Sequence, residues 1–370
     1  MKARLQSLLR SRVLFALVMQ GINGLIQVQA FFSLRGPNYL AFSSAYLLGT
    51  LLSLGLVLNF ENVVLAGRWT TSVRRYGLAL WWVGLAAALA AVIGHAQVPS
   101  FVSFCAFGVC FRLFMAWANQ ARPAPLSLIL AGGLVLLTCL LGNLSQVMLA
   151  AMLAFPLAAW RAQGPQAGGD GGLATVLHDS LRAFIRYLPH TLSGMVIGYL
   201  DRYVALNIVG GTAAETYLRT VQVGSWAAFL AYPAVFQVRG QVLQAGRLQA
   251  ATAWRAASLV AASMALAVAA LLAMAVATGR MPALSVGVVA TVFAALVCSQ
   301  CYQIASSLNF VGERFGIINR ITLASASTVL LLAAALLPFW RTAEVLSLLL
   351  FSGWFTQLWL TLLNLRRQSH

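Results

Sequence analysis

The chain has 370 residues, of which 61% are hydrophobic and only 8% are charged, and its mean hydropathy is +0.85. A soluble domain keeps roughly a quarter of its residues charged because its surface faces water, so this composition excludes a soluble protein. Basic residues outnumber acidic ones 24 to 7. They lie singly or in pairs between apolar runs, however, without the basic stripe of a nucleic-acid-binding surface.

Apolar runs of about 20 residues recur along the chain, and each is long enough to cross the hydrocarbon core of a bilayer as a helix. We therefore predict an all-α polytopic membrane protein with about twelve transmembrane helices in two six-helix bundles. In chain order, the predicted spans are 12–33, 39–60, 76–95, 99–119, 124–142, 144–161, 183–208, 213–237, 252–278, 283–307, 317–339 and 343–365.

The segment between the sixth and seventh spans resembles a linker, because Gly, Pro and polar residues fill most of 161–172. It predicts an N-terminal bundle, 1–161, a cytoplasmic linker, 162–182, and a C-terminal bundle, 183–370. Since six is an even number, both bundles have the same topology, and a pseudo-two-fold axis along the membrane normal relates them. We expect a transport cavity between the halves, near the middle of the membrane.

The distribution of basic residues predicts the orientation of the chain. With the N-terminus inside, 18 of the 24 basic residues fall in cytoplasmic segments and three in outer loops. Both termini are therefore predicted to be cytoplasmic. Lys2 is the single lysine beside 23 arginines, and with abundant Ala, Leu and Gly this is typical of a GC-rich bacterial coding sequence. We expect the bacterial inner membrane as the location.

Several predicted spans carry polar residues on one face. In the first span, Gln20, Asn23 and Gln27 are spaced i, i+3, i+7, which places them on the same side of the helix. Such residues either line a water-filled cavity or join neighbouring helices by hydrogen bonds, and their spacing favours neither. Polar residues of the fourth and tenth spans are candidates for the same lining: Asn119, Gln300 and Gln303.

Arg112 and His190 are ionisable groups inside predicted spans. A guanidinium in the middle of the fourth span needs an anionic partner or water, which favours a functional role for Arg112. Imidazole titrates near neutrality, so His190 fits either a proton carrier or a packed, hydrogen-bonded side chain. Four further charged residues flank the turn at 210–211: Asp201, Arg202, Glu215 and Arg219. They fit pairing across this turn as well as they fit a functional role.

Catalytic motifs are missing from the sequence. The seven acidic residues supply no pair of carboxylates on an outward-facing loop, and no HExxH, GxSxG or Gly-rich phosphate-binding motif occurs. Cys298 and Cys301 have the spacing of a metal or redox pair, but no second pair accompanies them. We predict that the chain is not an enzyme and holds neither a metal nor a cofactor, apart from a coupling ion such as Na⁺ or H⁺.

The segment 184–217 carries the clearest motif. Pro189 lies early in the seventh span, Asp201 and Arg202 lie near its end, and Tyr217 follows the Gly-containing turn at the start of the next helix. This pattern resembles the seventh-helix signature of polysaccharide flippases in the multidrug/oligosaccharidyl-lipid/polysaccharide exporter superfamily. The first helix, with its basic start and Gln20, and the basic loop after the second span are also similar. The chain departs from the family in its short length and few acidic residues.

The resemblance implies a flippase that translocates an undecaprenyl-pyrophosphate-linked oligosaccharide across the inner membrane for surface-polysaccharide assembly, by ion-coupled alternating access. A cationic, hydrated cavity would replace the hydration of the pyrophosphate by guanidinium contacts. The candidates for that cavity are Arg112, Arg186 and Arg219, and those for ion or proton coupling are His190, Asp201 and Glu215. Expected partners are membrane lipids and the polymerase and glycosyltransferases of the same pathway, with no nucleic acid.

Three alternatives remain from the sequence. A small-molecule antiporter of the same superfamily has the same fold, but it would favour an acidic cavity. A major-facilitator transporter also has six plus six spans, but its usual charged loop after the second span is absent from 69–76. A membrane glycosyltransferase or acyltransferase using His190 as a base is a third alternative, for which the sequence shows no acidic or Asn partner.

Overall fold

The computed structural model describes residues 12–57, 70–118, 121, 124–163, 173–226, 286–311 and 315–368, with isolated helical residues between 258 and 269. These residues are almost entirely helical, and no strand occurs among them. The all-α prediction is confirmed. The chain divides into two compact units, Met1–Ile185 and Arg186–His370.

The first unit contains six described helices before residue 163. They are α1 (Arg12–Ser33), α2 (Pro37–Leu56), α3 (Thr71–Ile93), α4 (Phe101–Ala118), α5 (Pro125–Leu141) and α6 (Leu144–Ala159). Local chemistry sets several of the boundaries. Pro37 opens α2 where its missing N–H costs nothing, and the Thr70 hydroxyl accepts from Val73 N at the start of α3. Asn143 and Gln146 form a capping box that begins α6.

Small residues allow close approach of helices in this unit. Helix α2 packs against α4, and α6 packs against α3, α5 and α1. A Cβ added to Gly49 would lie 2.5 Å from the Cβ of Phe104, and one added to Gly108 would lie 2.7 Å from the Ser53 hydroxyl. The α2–α4 interface therefore depends on residues that bring the two backbones together, as is common between membrane helices.

The second unit begins within α7 (Leu173–Val204). A π-helical turn, Ala205–Val209, follows α7 and leads to the helix at 211–226, here α8. The remaining described helices are α9 (Val286–Val311), α10 (Phe315–Leu336) and α11 (Ala343–Gln368). Helix α11 packs against α9 and α10. The core where α7 joins them contains Ile197, Val329 and Leu349.

The helix boundaries differ from the predicted spans in one instructive place. Helix α7 starts at Leu173 rather than at 183, so part of the segment predicted as a linker is helical. This part follows the Gly-rich residues and contains Leu, Ala and Arg, which favour helices. The predicted eighth span is described as far as 226. The predicted ninth span, 252–278, lies outside the described residues except for isolated positions.

The described helices fit a membrane environment. Five of them are long and apolar enough to span a bilayer: Pro37–Leu56, Thr71–Ile93, Val286–Ser306, Gly316–Leu336 and Ala343–Arg367. Phe101–Trp117, Pro125–Leu141 and Leu144–Ala159 are shorter apolar helices. Large apolar side chains such as Leu140 and Leu141 are 73% and 80% exposed, which suits contact with lipid tails rather than water. The chain is therefore a membrane-embedded helical protein.

Candidate functional site

The predicted polar face of α1 consists of Gln20, Asn23 and Gln27, and their side chains differ in hydrogen bonding. Gln27 is buried, and its Nε2 donates to the Tyr46 hydroxyl on α2 at 2.9 Å. Asn23 is half-buried. The Oε1 atom of Gln20 is buried and has no hydrogen-bond partner in the described part of the chain. Gln27 thus joins two helices, while Gln20 retains an open acceptor inside the first unit.

Gln29 is a further polar residue of α1 that the sequence analysis did not single out. Its Nε2 donates to the carbonyl of Gly142 at 2.8 Å, and its Oε1 lies 3.5 Å from the Cys139 thiol. These contacts join α1 to the corner between α5 and α6. Gln29 therefore has a packing role, and it shows that polar residues of one helix serve different purposes.

Arg112 is half-buried on α4, within a region rich in aromatic rings. Phe111 stacks on Phe107 at a centroid distance of 6.0 Å, and Phe114 contacts Phe155 of α6 at 5.4 Å. The structure therefore places this guanidinium on an apolar helix, and its functional role stays a prediction. Asn119, the second predicted polar residue of this span, lies outside the described residues.

The buried carboxylate of Asp201 joins α7 to α8 at the corner between the two helices. Asp201 is 2% exposed, and its Oδ2 accepts from the hydroxyl of Tyr217 at 2.6 Å. Its Oδ1 is buried without a partner among the described residues. In the turn between Asp201 and Tyr217, Gly210 and Gly211 have φ of 66° and 59°, a backbone conformation that glycine adopts readily. The Asp and Tyr of the recognised motif thus meet across the glycine turn.

Glu215 and Arg219 form an ion pair along α8. Arg219 is 3% exposed, and its Nε and Nη2 donate to Glu215 Oε1 at 3.0 Å and 2.8 Å. The pairing runs between neighbouring turns of one helix rather than across the corner. Because Glu215 already balances this guanidinium, Arg219 binds an anionic substrate only if the pair rearranges. For Arg186, the third predicted arginine, the structure describes the helix but not the side chain.

A second polar cluster of the C-terminal unit is called here the His190 cluster. It contains His190 of α7, Tyr302 of α9, Thr322 of α10 and Gln357 of α11. The Nδ1 atom of His190 lies 2.9 Å from Thr322 Oγ1, and Gln357 Nε2 donates to the same oxygen at 3.4 Å. The Tyr302 hydroxyl lies beside Thr322 and Gln357.

The His190 cluster is separate from the Asp201 corner. The two residues share α7, and eleven residues of helix span about 16 Å at 1.5 Å per residue. The predicted coupling residues therefore form at least two distinct sites. Thr322, Tyr302 and Gln357 were not predicted, because they come from three different spans and only helix packing brings them together.

The remaining predicted lining residues differ in burial. Gln300 is 8% exposed, whereas Gln303 on the same helix is exposed. Since they lie three residues apart on α9, the boundary of the buried face passes between them. No group of three or more His, Cys, Asp or Glu side chains suited to a metal ion occurs in the ranges that the structure describes.

Comparison of the chain with protein-family models, with curated proteins and with solved structures finds no match.

Proposed function

We propose that this protein is a transporter that flips an undecaprenyl-pyrophosphate-linked oligosaccharide repeat unit across the bacterial inner membrane, driven by an ion gradient. The transported unit supplies surface-polysaccharide assembly outside the membrane. The protein does no covalent chemistry on its substrate.

One observation supports transport most directly: polar atoms with unfilled hydrogen-bonding capacity lie buried inside apolar helices of both units. Within the described residues they include Gln20 Oε1, Asp201 Oδ1, Arg202 Nε and Gln357 Oε1. An unsatisfied buried polar group costs about 1–3 kcal/mol, so a purely structural bundle gains nothing from keeping several of them. A protein that hydrates its interior and receives a polar substrate during its cycle uses such groups.

The substrate class follows from the motif and from charge. The motif at 184–217 resembles that of polysaccharide flippases, and its Asp201 and Tyr217 are hydrogen-bonded to each other. A pyrophosphate headgroup needs cationic contacts to leave water, and a guanidinium offers paired donors that match phosphate oxygens. Of the three arginines predicted for this role, Arg112 lies half-buried on α4, and it is the one that we propose for the headgroup.

A specific observation favours a second candidate, a small-molecule antiporter of the same superfamily. The open oxygen of Asp201 is an acceptor that suits an organic cation as well as it suits a coupling ion. Against this candidate, the other acidic residue of the corner, Glu215, is already paired with Arg219. The transferase alternative is weaker, because the Nδ1 contact of His190 is with the Thr322 hydroxyl rather than with a carboxylate that would orient a base.

Reconstitution tests this proposal directly. The purified protein is placed in vesicles whose lipid-linked oligosaccharide starts on one leaflet, and a membrane-impermeant glycosidase reports arrival at the other leaflet. We expect cleavage to rise when an ion gradient is applied and to stay at the level of empty vesicles without protein. Equal cleavage with and without protein would overturn the proposal, and an altered glycan in sealed vesicles would favour the transferase.

A further inference from the structure

Helix α6 contains a proline near its end, and this residue interrupts the hydrogen-bond ladder of the helix. Pro156 has no N–H, so the carbonyl of Met152, four residues before it, loses the donor that an α-helix normally supplies. Met152 is fully buried, and a buried carbonyl without a donor is costly. Membrane helices tolerate a proline where a neighbouring helix supplies the missing donor.

The indole of Trp81 on α3 supplies this donor. Its Nε1 donates to the carbonyl of Met152 at 2.8 Å. Gly84, one turn further along α3, lies against the same residue, and a Cβ added to it would lie 2.6 Å from the Cε of Met152. The glycine therefore gives Met152 its room beside α3, and Trp81 takes the place of the N–H that Pro156 lacks.

A second bond from a neighbouring helix holds the chain on the other side of the proline. Ser127 of α5 is fully buried, and its hydroxyl donates to the carbonyl of Trp160, the C-cap residue of α6. Carbonyls at the end of a helix lack a partner within the helix, so this bond satisfies a group that the helix itself leaves open. Trp81 and Ser127 thus bond to α6 from two different helices, one before Pro156 and one after it.

The two parts of α6 differ in how firmly they are packed. The part before the proline is anchored in the first unit, where Val147, Met148 and Ala151 are fully buried. Only three helical residues follow Pro156, and the Trp160 side chain after them is 46% exposed. Helices bend most readily at a proline, and hinges commonly lie at the ends of elements. The short last turn is therefore the part of α6 that can change direction.

We propose that Pro156 is a hinge of α6, and that Trp81 and Ser127 form a clamp that holds the last turn in the described conformation. Breaking the Ser127 bond frees this turn to swing about Pro156, while Trp81 keeps the carbonyl of Met152 satisfied. The chain passes from this turn into the segment that leads to α7, so the swing redirects that segment. Resting on the function proposed above, this swing is one of the movements of alternating access.

A double-mutant cycle tests the part of Trp81. Trp81→Phe leaves the carbonyl of Met152 without a donor, so the melting temperature should fall. With Pro156→Ala, a backbone N–H again bonds to this carbonyl, and Trp81→Phe should then lower the melting temperature much less. Trp82→Phe, at a 62% exposed neighbour, is the matched control and should change neither background. Equal losses from Trp81→Phe in both backgrounds would overturn the assignment.

Spin-label distances in lipid nanodiscs test the hinge without any substrate. The labels are attached to azide-bearing residues introduced at Trp160 and at Leu141, an 80% exposed residue at the end of α5, so the native cysteines stay in place. We expect a narrow distance distribution in this chain, a broad one after Ser127→Ala, and a narrow one again when Pro156→Ala is added. A distribution that Ser127→Ala does not broaden, or that stays broad with Pro156→Ala, would overturn the hinge.

Ser145→Ala is the matched control for the distance measurement. Ser145 is also fully buried, and its hydroxyl donates to the carbonyl of Ala96 at 2.6 Å, but it lies at the start of α6, far from the proline. The distribution between the two labels should therefore stay narrow in this variant. A broad distribution here as well would mean that the loss of any such bond loosens α6, and the hinge proposal would fail.

The vesicle assay of the proposed function tests the role of the hinge in transport. Pro156→Ala should lose most of the gradient-driven movement of oligosaccharide, with an unchanged or higher melting temperature as evidence of folding. Movement at the wild-type rate would contradict this role. If no oligosaccharide moves through the wild type, the proposed function fails, while the distance distributions still decide the hinge.

Discussion

At the scale of single residues, the informative groups are the charged and polar side chains that an apolar environment penalises. Arg112 and Asp201 both lie on apolar helices, yet their surroundings differ. Asp201 is fully enclosed and accepts from Tyr217. Arg112 is half-buried among aromatic residues of α4. The first joins α7 to α8, and the second is the residue that we propose for contact with the substrate.

Replacing Arg112 by alanine should abolish most of the export. A charge-assisted hydrogen bond contributes about 1.5–3 kcal/mol, which corresponds to a loss of about 10- to 150-fold in export rate. The rate is measured as surface polysaccharide produced at equal protein level in the membrane. Arg74→Ala, at an exposed position at the start of α3, is the control and should export normally. Wild-type export by Arg112→Ala would remove this residue from the mechanism.

Removing the Tyr217 hydroxyl should destabilise the C-terminal unit. Tyr217→Phe leaves the buried Asp201 carboxylate without its donor, and a lost partner of this kind costs about 1–3 kcal/mol. Thermal unfolding of the purified protein should show a lower melting temperature. Tyr203→Phe, two residues before the π-helical turn begins and with a 54% exposed ring, should melt like wild type. An unchanged melting temperature in Tyr217→Phe would show that Asp201 finds another donor.

At the scale of helices, packing depends on where small residues lie. Gly49 on α2 lies against Phe104 and the backbone at Phe101 and Cys105, whereas Gly55 on the same helix has no atom within 4 Å of an added Cβ. Sequence alone does not distinguish the two glycines, because both sit in the same apolar run. Only the approach of α4 makes one of them necessary.

This difference predicts opposite outcomes for the same substitution. Gly49→Ala should destabilise the N-terminal unit by about 1–3 kcal/mol, because overpacking against α4 forces the helices apart. Gly55→Ala on the same helix should cause no loss of stability. Melting temperatures of the two variants in one detergent give the comparison. Equal stability of both would mean that α2 and α4 are not in contact at Gly49.

The sequence predicted the helical class, the membrane environment and most helix positions in the first unit. It could do so because a long apolar run has few alternatives to a membrane-spanning helix. The start of α7 could not be predicted, since the Gly-rich residues at 164–172 gave no signal that a helix begins directly after them. The Glu215–Arg219 pair was visible as an i, i+4 spacing. The His190 cluster was not, because Thr322 and Gln357 come from spans whose pairing depends on tertiary packing.

At the scale of the whole molecule, two compact units of apolar helices each keep polar groups inside. In the function that we propose, an arginine contacts the anionic headgroup, and the bond between Asp201 and Tyr217 stabilises the corner of the fold. The twelve spans, the symmetry of the halves and the cytoplasmic termini stay predictions of the sequence.

The most direct test of the central claim is the cellular pool of undecaprenyl-pyrophosphate-linked oligosaccharide in a deletion strain, with and without the wild-type gene restored. We predict that complete repeat units accumulate while surface polysaccharide disappears, and that restoring the gene reverses both changes. An unchanged pool with intact surface polysaccharide would contradict the account and direct attention to small-molecule export.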